Sequence, residues 1–196
     1  GMKGLSQSKP FRKMGIHSSP TGELFLQDVK VGKDRLLGES EDVSYRSGVK
    51  DTFSAERSGV AAMALGITER CLELSVKYAN ERVQFGKPIG EFQLIQAKLA
   101  KMEIARINLE NLVFRYIETV AKGRSMSLAE ASAMKLYAAQ TAVEVAMEAV
   151  QIHGGNGYMA EYQVEQLARD AKILQIYGGT DEIQITHIAR DLLSRG

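Results

Sequence analysis

The feature that most constrains the fold is a helical spacing of apolar residues, which begins near Asp51 and continues almost to the end of the chain. Glycine and proline become sparse at the same point. Apolar residues that recur three or four positions apart are typical of helices that bury one face. The predicted helices cover about residues 51–80, 91–121, 128–153, 164–176 and 181–193.

The first two helices carry continuous apolar stripes. In the first helix, the predicted buried residues are Phe53, Val60, Met63, Ile67, Cys71, Leu74 and Tyr78. In the second helix, they are Ile95, Leu99, Met102, Leu109, Val113, Tyr116 and Val120. The segment between these helices, residues 81–88, is predicted to be a loop because Gly86 and Pro88 interrupt it.

The third helix is rich in alanine and opens with a capping box, Ser127-Leu128-Ala129-Glu130. Small side chains allow neighbouring helices to approach closely, so this helix is predicted to be the central one. The patterns together predict a mainly α fold, in which residues 51–196 form an up-and-down helical bundle.

Residues 1–50 have a different character, with prolines and glycines that punctuate short segments. A strand is predicted within residues 23–31, where apolar and polar residues partly alternate, and a second strand near residues 13–17. Two short strands do not form a stable sheet by themselves. We therefore expect residues 1–50 to be a β-strand remnant and linker of a β-domain whose remainder is missing.

The overall composition excludes several classes of protein. Of the 196 residues, 44% are hydrophobic and 25% are charged, which is typical of a globular protein. The formal net charge of +1 does not indicate the basic surface that is typical of nucleic-acid-binding proteins. No apolar run approaches the length of a membrane span. The single cysteine fits a reducing compartment, so we expect a cytoplasmic protein, or one of the mitochondrial matrix in a eukaryote.

Metal and nucleophilic sites find little support in the sequence. His17, His153 and His187 are scattered and lack the spacing of metal ligands, so no metal is expected. Cys71 falls on the buried stripe of the first helix and is not expected to act as a nucleophile.

Two glycine turns lie late in the chain. Gln151-Ile152-His153-Gly154-Gly155 ends the third helix, and Gly178-Gly179-Thr180 begins the fifth. One interpretation is a pocket rim, because backbone N–H groups at a helix start attract phosphates. The other is helix punctuation, with glycine at a C-terminal cap and threonine at an N-terminal cap. The spacing alone favours punctuation.

Four motifs, in order, resemble those of the C-terminal helical domain of the flavin-dependent acyl-CoA dehydrogenase family. They are Arg82-x-x-Phe85-Gly86 with Gln93 downstream, Gln151-Ile152-His153-Gly154-Gly155-Asn156-Gly157-Tyr158, Arg169-Asp170-Ala171-Lys172-Ile173, and Tyr177-Gly178-Gly179-Thr180-Asp181-Glu182-Ile183-Gln184. Residues 18–37 are similar to the last strands of the family's middle β-domain, so the resemblance covers nearly the whole chain.

The resemblance implies a reaction, a cofactor and partners. FAD takes a hydride from Cβ of an acyl-CoA thioester while a carboxylate removes an α-proton, which gives a trans-2-enoyl-CoA. Such enzymes serve fatty acid or branched-chain amino acid catabolism and pass electrons to an electron-transfer flavoprotein. The helical domain forms the subunit contacts of the family, so a homodimer or homotetramer is expected.

The resemblance also assigns binding positions. The positions expected to hold the pyrophosphate and adenosine end of FAD, usually that of the neighbouring subunit, are Arg82, Gln84, Phe85 and Gln93. Those expected to contact FAD across the same dimer interface are Gln151, Gly154 and Gly155. The helix start expected to meet the FAD diphosphate carries Thr180 and Glu182. The expected substrate contacts are Arg57, Tyr177, Gly178 and Gly179.

The catalytic base is expected at Glu56. In many members of the family the residue after the tyrosine of the late turn is the catalytic glutamate, but here that residue is Gly178. In the isovaleryl-CoA and long-chain branches the glutamate comes instead from the first helix of this domain, at the position of Glu56. The loss at Gly178 and the gain at Glu56 fit together.

Two alternatives stay open from the sequence. One is a catalytically incompetent helical dimerisation module, or a subunit that requires a separate N-terminal partner, because the domains that hold the flavin ring have no counterpart here. On that reasoning the polypeptide alone is expected to purify colourless. The other is a flavoprotein of the same fold, such as an acyl-CoA oxidase or a nitroalkane oxidase, which oxygen reactivity would distinguish.

Overall fold

The structure is a computed structural model that describes residues 2–36 and 46–195, with side chains described from residue 55 onward in the second range. The five predicted helices are all present: α1 (Arg46–Glu81), α2 (Gln93–Ala121), α3 (Leu128–His153), α4 (Gln163–Lys172) and α5 (Asp181–Ser194). Helix α1 begins five positions before the predicted start. Helix α4 is shorter than predicted, because a 3-10 turn, Ile173–Gln175, follows it.

The directions of the long helices follow from contacts at their ends. Near the start of α1, Arg57 contacts Ser132 in the first part of α3, and near its end Tyr78 stacks on His153 at the end of α3. Helices α1 and α3 therefore run in the same direction. Helix α2 runs the opposite way, because its early residue Lys98 pairs with Glu148 late in α3. The first three helices thus form an up-and-down bundle, as predicted.

Helix α3 is the centre of the bundle, as its alanines predicted, and it packs against the other four helices. Its alanines are almost all buried: Ala129, Ala131, Ala138, Ala139, Ala142, Ala146 and Ala149. The facing side of α1 also buries small residues, namely Ser58, Ala61, Ala64, Thr68, Ser75 and Ala79. Helices α1 and α3 therefore meet through small side chains, which allows their backbones to lie close together.

The predicted stripe of α1 was partly wrong. Val60 and Cys71 are buried, but Met63 is 44% exposed, and Ile67, Leu74 and Tyr78 are only half-buried. Phe53 lies outside the described side chains. The reason is that small polar and alanine positions occupy the contact with α3, so the larger apolar residues lie at its edges. In α2, Met102 and Leu109 are buried as predicted, whereas Val120 is 49% exposed.

The N-terminal strands differ from the prediction. Strand β2 (Leu24–Leu26) lies within the predicted segment and pairs in antiparallel register with β1 (Leu5–Gln7), Ser6 opposite Phe25. Residues 13–17 form no strand. Ile16 has φ +47°, which a strand does not accommodate, and its N–H is already bonded to a side chain of α4.

The segment predicted as a loop after α1 contains a small hairpin. Strands β3 (Val83–Gln84) and β4 (Lys87–Pro88) pair across a two-residue turn, Phe85-Gly86, in which both residues have positive φ, +52° and +82°. Two consecutive residues with positive φ are typical of the type I′ turns that close hairpins. A glycine is common at the second position, whereas a bulky aromatic residue at the first is unusual.

A clamp joins the N-terminal segment to the bundle. The backbone N–H of Ile16 donates to Asp170 Oδ1 at 2.6 Å, and Arg169 Nη1 donates to the carbonyl of Met14 at 2.6 Å. Between them Gly15 lies so close to α4 that a Cβ atom built on it would approach the carbonyl of Arg169 to 2.8 Å. The Arg169-Asp170 motif therefore holds residues 14–16 against α4.

Across the described ranges, no helix has both the length and the apolar character needed to cross a membrane.

Candidate active site

The two alternative positions of the catalytic glutamate, 56 and 178, face each other. Glu56 lies in the early part of α1, and Gly178 lies in the turn of residues 177–180 that precedes α5. A Cβ atom built on Gly178 would lie 4.0 Å from Glu56 Oε1 and 3.9 Å from Val60 Cγ2. The Glu56 side chain is exposed. A carboxylate carried by either position would therefore reach the same space.

Arg57 ties this part of α1 to the turn and to α3. Its side chain is buried, with Nε 3.4 Å from the carbonyl of Gly178 and Nη1 3.3 Å from Ser132 Oγ. Burial lowers the pKa of Arg57 from its ordinary value, and the neighbouring Glu56 carboxylate opposes that effect. Arg57 therefore acts here as an internal support of the turn.

The turn itself requires glycine at position 179. Gly179 has φ +90°, and a Cβ atom on it would lie 2.7 Å from Gln184 Nε2. The neighbouring Tyr177 is half-buried, and its hydroxyl lies 3.1 Å from Met63 Sδ. Burial, and then the Glu56 carboxylate, raise the pKa of Tyr177. The phenol and the Glu56 carboxylate thus line one space.

Helix α5 starts directly after the turn. Thr180 is its N-cap, and its Oγ1 accepts a hydrogen bond from the N–H of Ile183 at 3.5 Å. Glu182 is exposed, and a hydrogen bond from its own backbone N–H holds the pKa of its carboxyl below the ordinary value. An ionised carboxylate repels a diphosphate, so Thr180 and the backbone of the helix start suit an anion better than Glu182 does.

The hairpin between α1 and α2 forms a separate exposed surface. Arg82, Gln84 and Gln93 are exposed, and Phe85 is 94% exposed. Phe85 also holds a left-handed backbone conformation that costs free energy for a bulky residue. A strained backbone that presents a large aromatic ring to solvent is typical of a contact surface.

The corner at the end of α3 lies near that hairpin. Gln151, Gly154 and Gly155 are exposed, whereas His153 is buried and stacks on Tyr78 at a ring distance of 4.2 Å. Asn156 Nδ2 donates to the Tyr78 hydroxyl at 3.0 Å. Since Tyr78 precedes Arg82 by one helical turn, the hairpin and this corner, two of the three groups of positions predicted to bind FAD, lie at the same end of the bundle.

The two ends of the bundle are far apart. Arg57 and Tyr78 are separated by 21 positions of α1, which is about 32 Å along the axis at roughly 1.5 Å per residue. Glu56, Arg57, the turn and Thr180 therefore form one cluster, and the hairpin with the glycine corner forms another. The structure does not bring these two groups of predicted residues together within a single chain.

The buried histidine gives a pH dependence to stability. Burial lowers the pKa of His153 from its ordinary value of 6.5, so the unfolded chain binds the proton more readily than the folded one. The contribution of His153 to the free energy of unfolding is therefore fully present above about pH 6.5. It is lost as the pH falls through the lowered pKa of the folded state. We expect Tm to decrease between pH 7 and pH 5, and His153→Leu to flatten that slope.

His187→Gln serves as the matched control for this measurement. Burial also lowers the pKa of His187, but its side chain is only half-buried on α5. The control should retain most of the slope. An unchanged slope in His153→Leu would show that other groups set the acid sensitivity.

Sequence reasoning missed two residues that hold the turn. Lys135 has no exposed side-chain surface and donates to the carbonyl of Gly179 at 2.9 Å. Gln184, also buried, donates to the carbonyls of Gly178 and Gly179 at 3.1 and 2.8 Å. Gln184 is the last residue of the motif that begins at Tyr177, so that motif could have identified it as part of the site. Lys135 lies among alanines, and no local pattern marks it as buried.

Other parts of the described chain offer less chemistry. Cys71 is buried, as predicted, and burial raises the pKa of its thiol to about 12. Among the side chains described, those of residues 2–36 and 55–195, no group of three or more His, Cys, Asp or Glu is placed to hold a metal ion. A cleft of about 610 Å³ between α2 and α3 contains none of the predicted site residues.

Comparisons with known proteins agree on one family. The family model described as "Acyl-CoA dehydrogenase, C-terminal domain" matches residues 47–193. The short-chain specific acyl-CoA dehydrogenase of Megasphaera elsdenii is 44% identical over 185 residues, 94% of this chain and 48% of that protein. The caffeyl-CoA reductase-Etf complex subunit CarC of Acetobacterium woodii is 36% identical, over 98% of this chain and 50% of its own length.

A solved structure agrees as well. The acyl-CoA dehydrogenase of Geobacillus kaustophilus matches with a TM-score of 0.92 at 36% identity, over 97% of this chain and 50% of that one. The chain thus spans about half the length of the relatives that it matches. With the helical bundle and four ordered motifs, these matches show that the chain belongs to the acyl-CoA dehydrogenase family, as its C-terminal domain.

Proposed function

We propose that this chain is the C-terminal portion of an FAD-dependent acyl-CoA dehydrogenase, in which Glu56 is the catalytic base. The observation that carries the proposal is the approach of Glu56 Oε1 to the built Cβ position of Gly178, at 4.0 Å. The usual glutamate is missing at Gly178, and a carboxylate from α1 reaches the same space. The substrate is an acyl-CoA thioester and the product a trans-2-enoyl-CoA.

Glu56 removes the α-proton of the thioester in this proposal. Its exposed carboxylate lies beside the half-buried Tyr177. Arg57 holds the facing turn through a hydrogen bond to the carbonyl of Gly178. FAD, when bound, supplies the acceptor for the hydride from Cβ. The described residues that accompany Glu56 in substrate binding are Arg57, Tyr177, Gly178 and Gly179, because they line or support the same space.

The exposed residues at the far end of the bundle fit the phosphate and adenosine part of FAD. Arg82 supplies a guanidinium cation, Gln84 and Gln93 supply amide donors, and Phe85 presents an open aromatic face. Gln151, Gly154 and Gly155 extend that surface at the end of α3. Thr180 and the start of α5 suit the diphosphate, whereas the ionised Glu182 suits hydroxyl groups of the cofactor.

The split between the two clusters supports a homo-oligomer. Because about 32 Å separates the two ends of α1 that carry them, we propose that each FAD is held by the Thr180 end of one subunit and the Arg82 end of a second. Electrons are proposed to pass to an electron-transfer flavoprotein, which the name of the Acetobacterium woodii relative supports. The strands β1 and β2 are proposed to belong to the middle β-domain.

The test joins the chain in frame to the N-terminal half of the Megasphaera elsdenii relative and measures acyl-CoA-dependent dye reduction. We expect activity and a flavin spectrum from the joined protein. The chain alone is expected to purify colourless, since its described N-terminal part supplies only two three-residue strands. An assembled, FAD-loaded protein that reduces no dye with acyl-CoA of any length would favour the incompetent helical module instead.

A further inference from the structure

A fully buried lysine lies behind the turn that faces Glu56. Lys135, in the first half of α3, has no exposed side-chain surface. Burying an ammonium group costs several kcal/mol unless partners compensate it, so such a residue is rarely without a role. Burial lowers the pKa of Lys135, and the neighbouring Asp181 carboxylate opposes that effect.

Lys135 contacts the turn more closely than it contacts its acidic neighbour Asp181. Its Nζ donates to the carbonyl of Gly179 at 2.9 Å, whereas Asp181 Oδ1 lies at 3.5 Å. The carboxylate of Asp181 is held from its other side, where Oδ2 accepts from Gln140 and Gln175 at 3.3 and 3.2 Å. Asp181 therefore balances the charge, and the hydrogen bond of Lys135 is directed at the backbone of the turn.

The turn depends on such side chains for its position. Gly178 and Gly179 have φ of +63° and +90°, and neither has a side chain to pack. Two adjacent glycines give the unrestrained backbone its greatest freedom. Arg57 and Gln184 donate to the carbonyl of Gly178, and Lys135 and Gln184 donate to that of Gly179. These donors fix both carbonyls towards the interior of the bundle.

We propose that Lys135 is a positioning residue that fixes the turn of residues 177–180 against Glu56, and so sets the distance between the base and the substrate wall. The inference rests on the proposed function of this site for its effect on catalysis. A displacement of about 1 Å in a reacting geometry lowers rates by up to about 10²-fold, so loss of the Gly179 bond should affect kcat.

Three variants test the proposal. Lys135→Met removes the donor and leaves the Asp181 carboxylate buried without its cation, which destabilises the fold. Lys135→Met with Asp181→Asn removes that unbalanced charge, so stability should largely return while the Gly179 carbonyl still lacks its donor. Met134→Ala is the control: it lies on α3 beside the cleft towards α2 and lowers stability by creating a cavity.

The first measurement is amide hydrogen exchange of the 196-residue chain, read on the peptide that covers residues 174–185. We expect exchange there to be at least about fivefold faster in both Lys135 variants, because a local opening becomes easier, and unchanged in Met134→Ala. The second is dye reduction by the joined protein. The double variant should lose about tenfold or more of kcat, with KM changed by less than about threefold.

The outcomes separate this proposal from the proposed function. A double variant with unchanged exchange and unchanged kcat overturns the role of Lys135. If the joined protein has no acyl-CoA activity at all, the proposed function fails, and exchange alone then decides whether Lys135 positions the turn. A loss of kcat that Met134→Ala reproduces at equal stability assigns the effect to general destabilisation and also overturns the proposal.

Discussion

Glu56→Gln is expected to lower kcat of the joined enzyme by about 10²- to 10⁴-fold, the usual contribution of a positioned general base. Glutamine has nearly the shape of glutamate but cannot accept the α-proton. KM for the acyl-CoA should change only a few-fold, and the flavin content should stay the same, because none of the residues proposed to hold FAD is altered. The measurement is acyl-CoA-dependent dye reduction with parallel flavin spectra.

Glu69→Gln is the matched control for that experiment. Glu69 is an exposed carboxylate on the same helix, thirteen positions further along α1, and it undergoes the same chemical change. Its kcat should equal that of the unaltered enzyme. Full activity in Glu56→Gln would show that the base does not lie on α1. This chain would then lack an assigned proton acceptor for the reaction of its family.

The second large effect is recovery of activity when the base is moved across the site. In Glu56→Gly, the further change Gly178→Glu should restore at least about tenfold of the lost kcat, because general-base catalysis returns from the opposite wall. A Cβ atom on Gly178 would lie 4.0 Å from the position of Glu56 Oε1. The cost is a side chain at φ +63°, which should reduce stability by about 1–2 kcal/mol.

Gly123→Glu in the same Glu56→Gly background controls for that strain. Gly123 has φ +67° and lies between α2 and α3, where a Cβ atom would meet nothing within 4 Å. It imposes the same backbone penalty without bringing a carboxylate to the site. A thermal melt should therefore show similar losses, and only the Gly178 variant should regain dye reduction. Equal kcat in the two double variants would contradict the shared-space geometry.

The helices could be predicted from the sequence because each one carries its own local signals. The capping box at Ser127 and the N-cap at Thr180 fall where the structure begins α3 and α5. The buried face of α1 could not be predicted in the same way. An apolar stripe identifies large residues, whereas close contact with the alanines of α3 selects Ala61, Ala64 and Ser75.

Long-range partners explain the other differences. Strand β1 was missed because it is only three residues long and its partner, β2, lies much later in the chain. For the site, sequence resemblance paired Glu56 with Gly178, and the structure places these positions opposite each other. Their chemical roles stay predictions. Lys135 escaped notice because its partners, Gly179 and Asp181, come more than forty residues later.

The clamp between the N-terminal segment and α4 has a consequence for the order of folding. Its two hydrogen bonds join residues 154 and 155 positions apart, whereas the contacts between successive helices of the bundle close shorter loops. The entropy of loop closure grows with loop length, and contacts between distant residues form slowly. Asp170 and Arg169 also need α4 in place before they can receive the segment. The bundle should therefore assemble first, and residues 14–16 should dock onto a surface that is already formed.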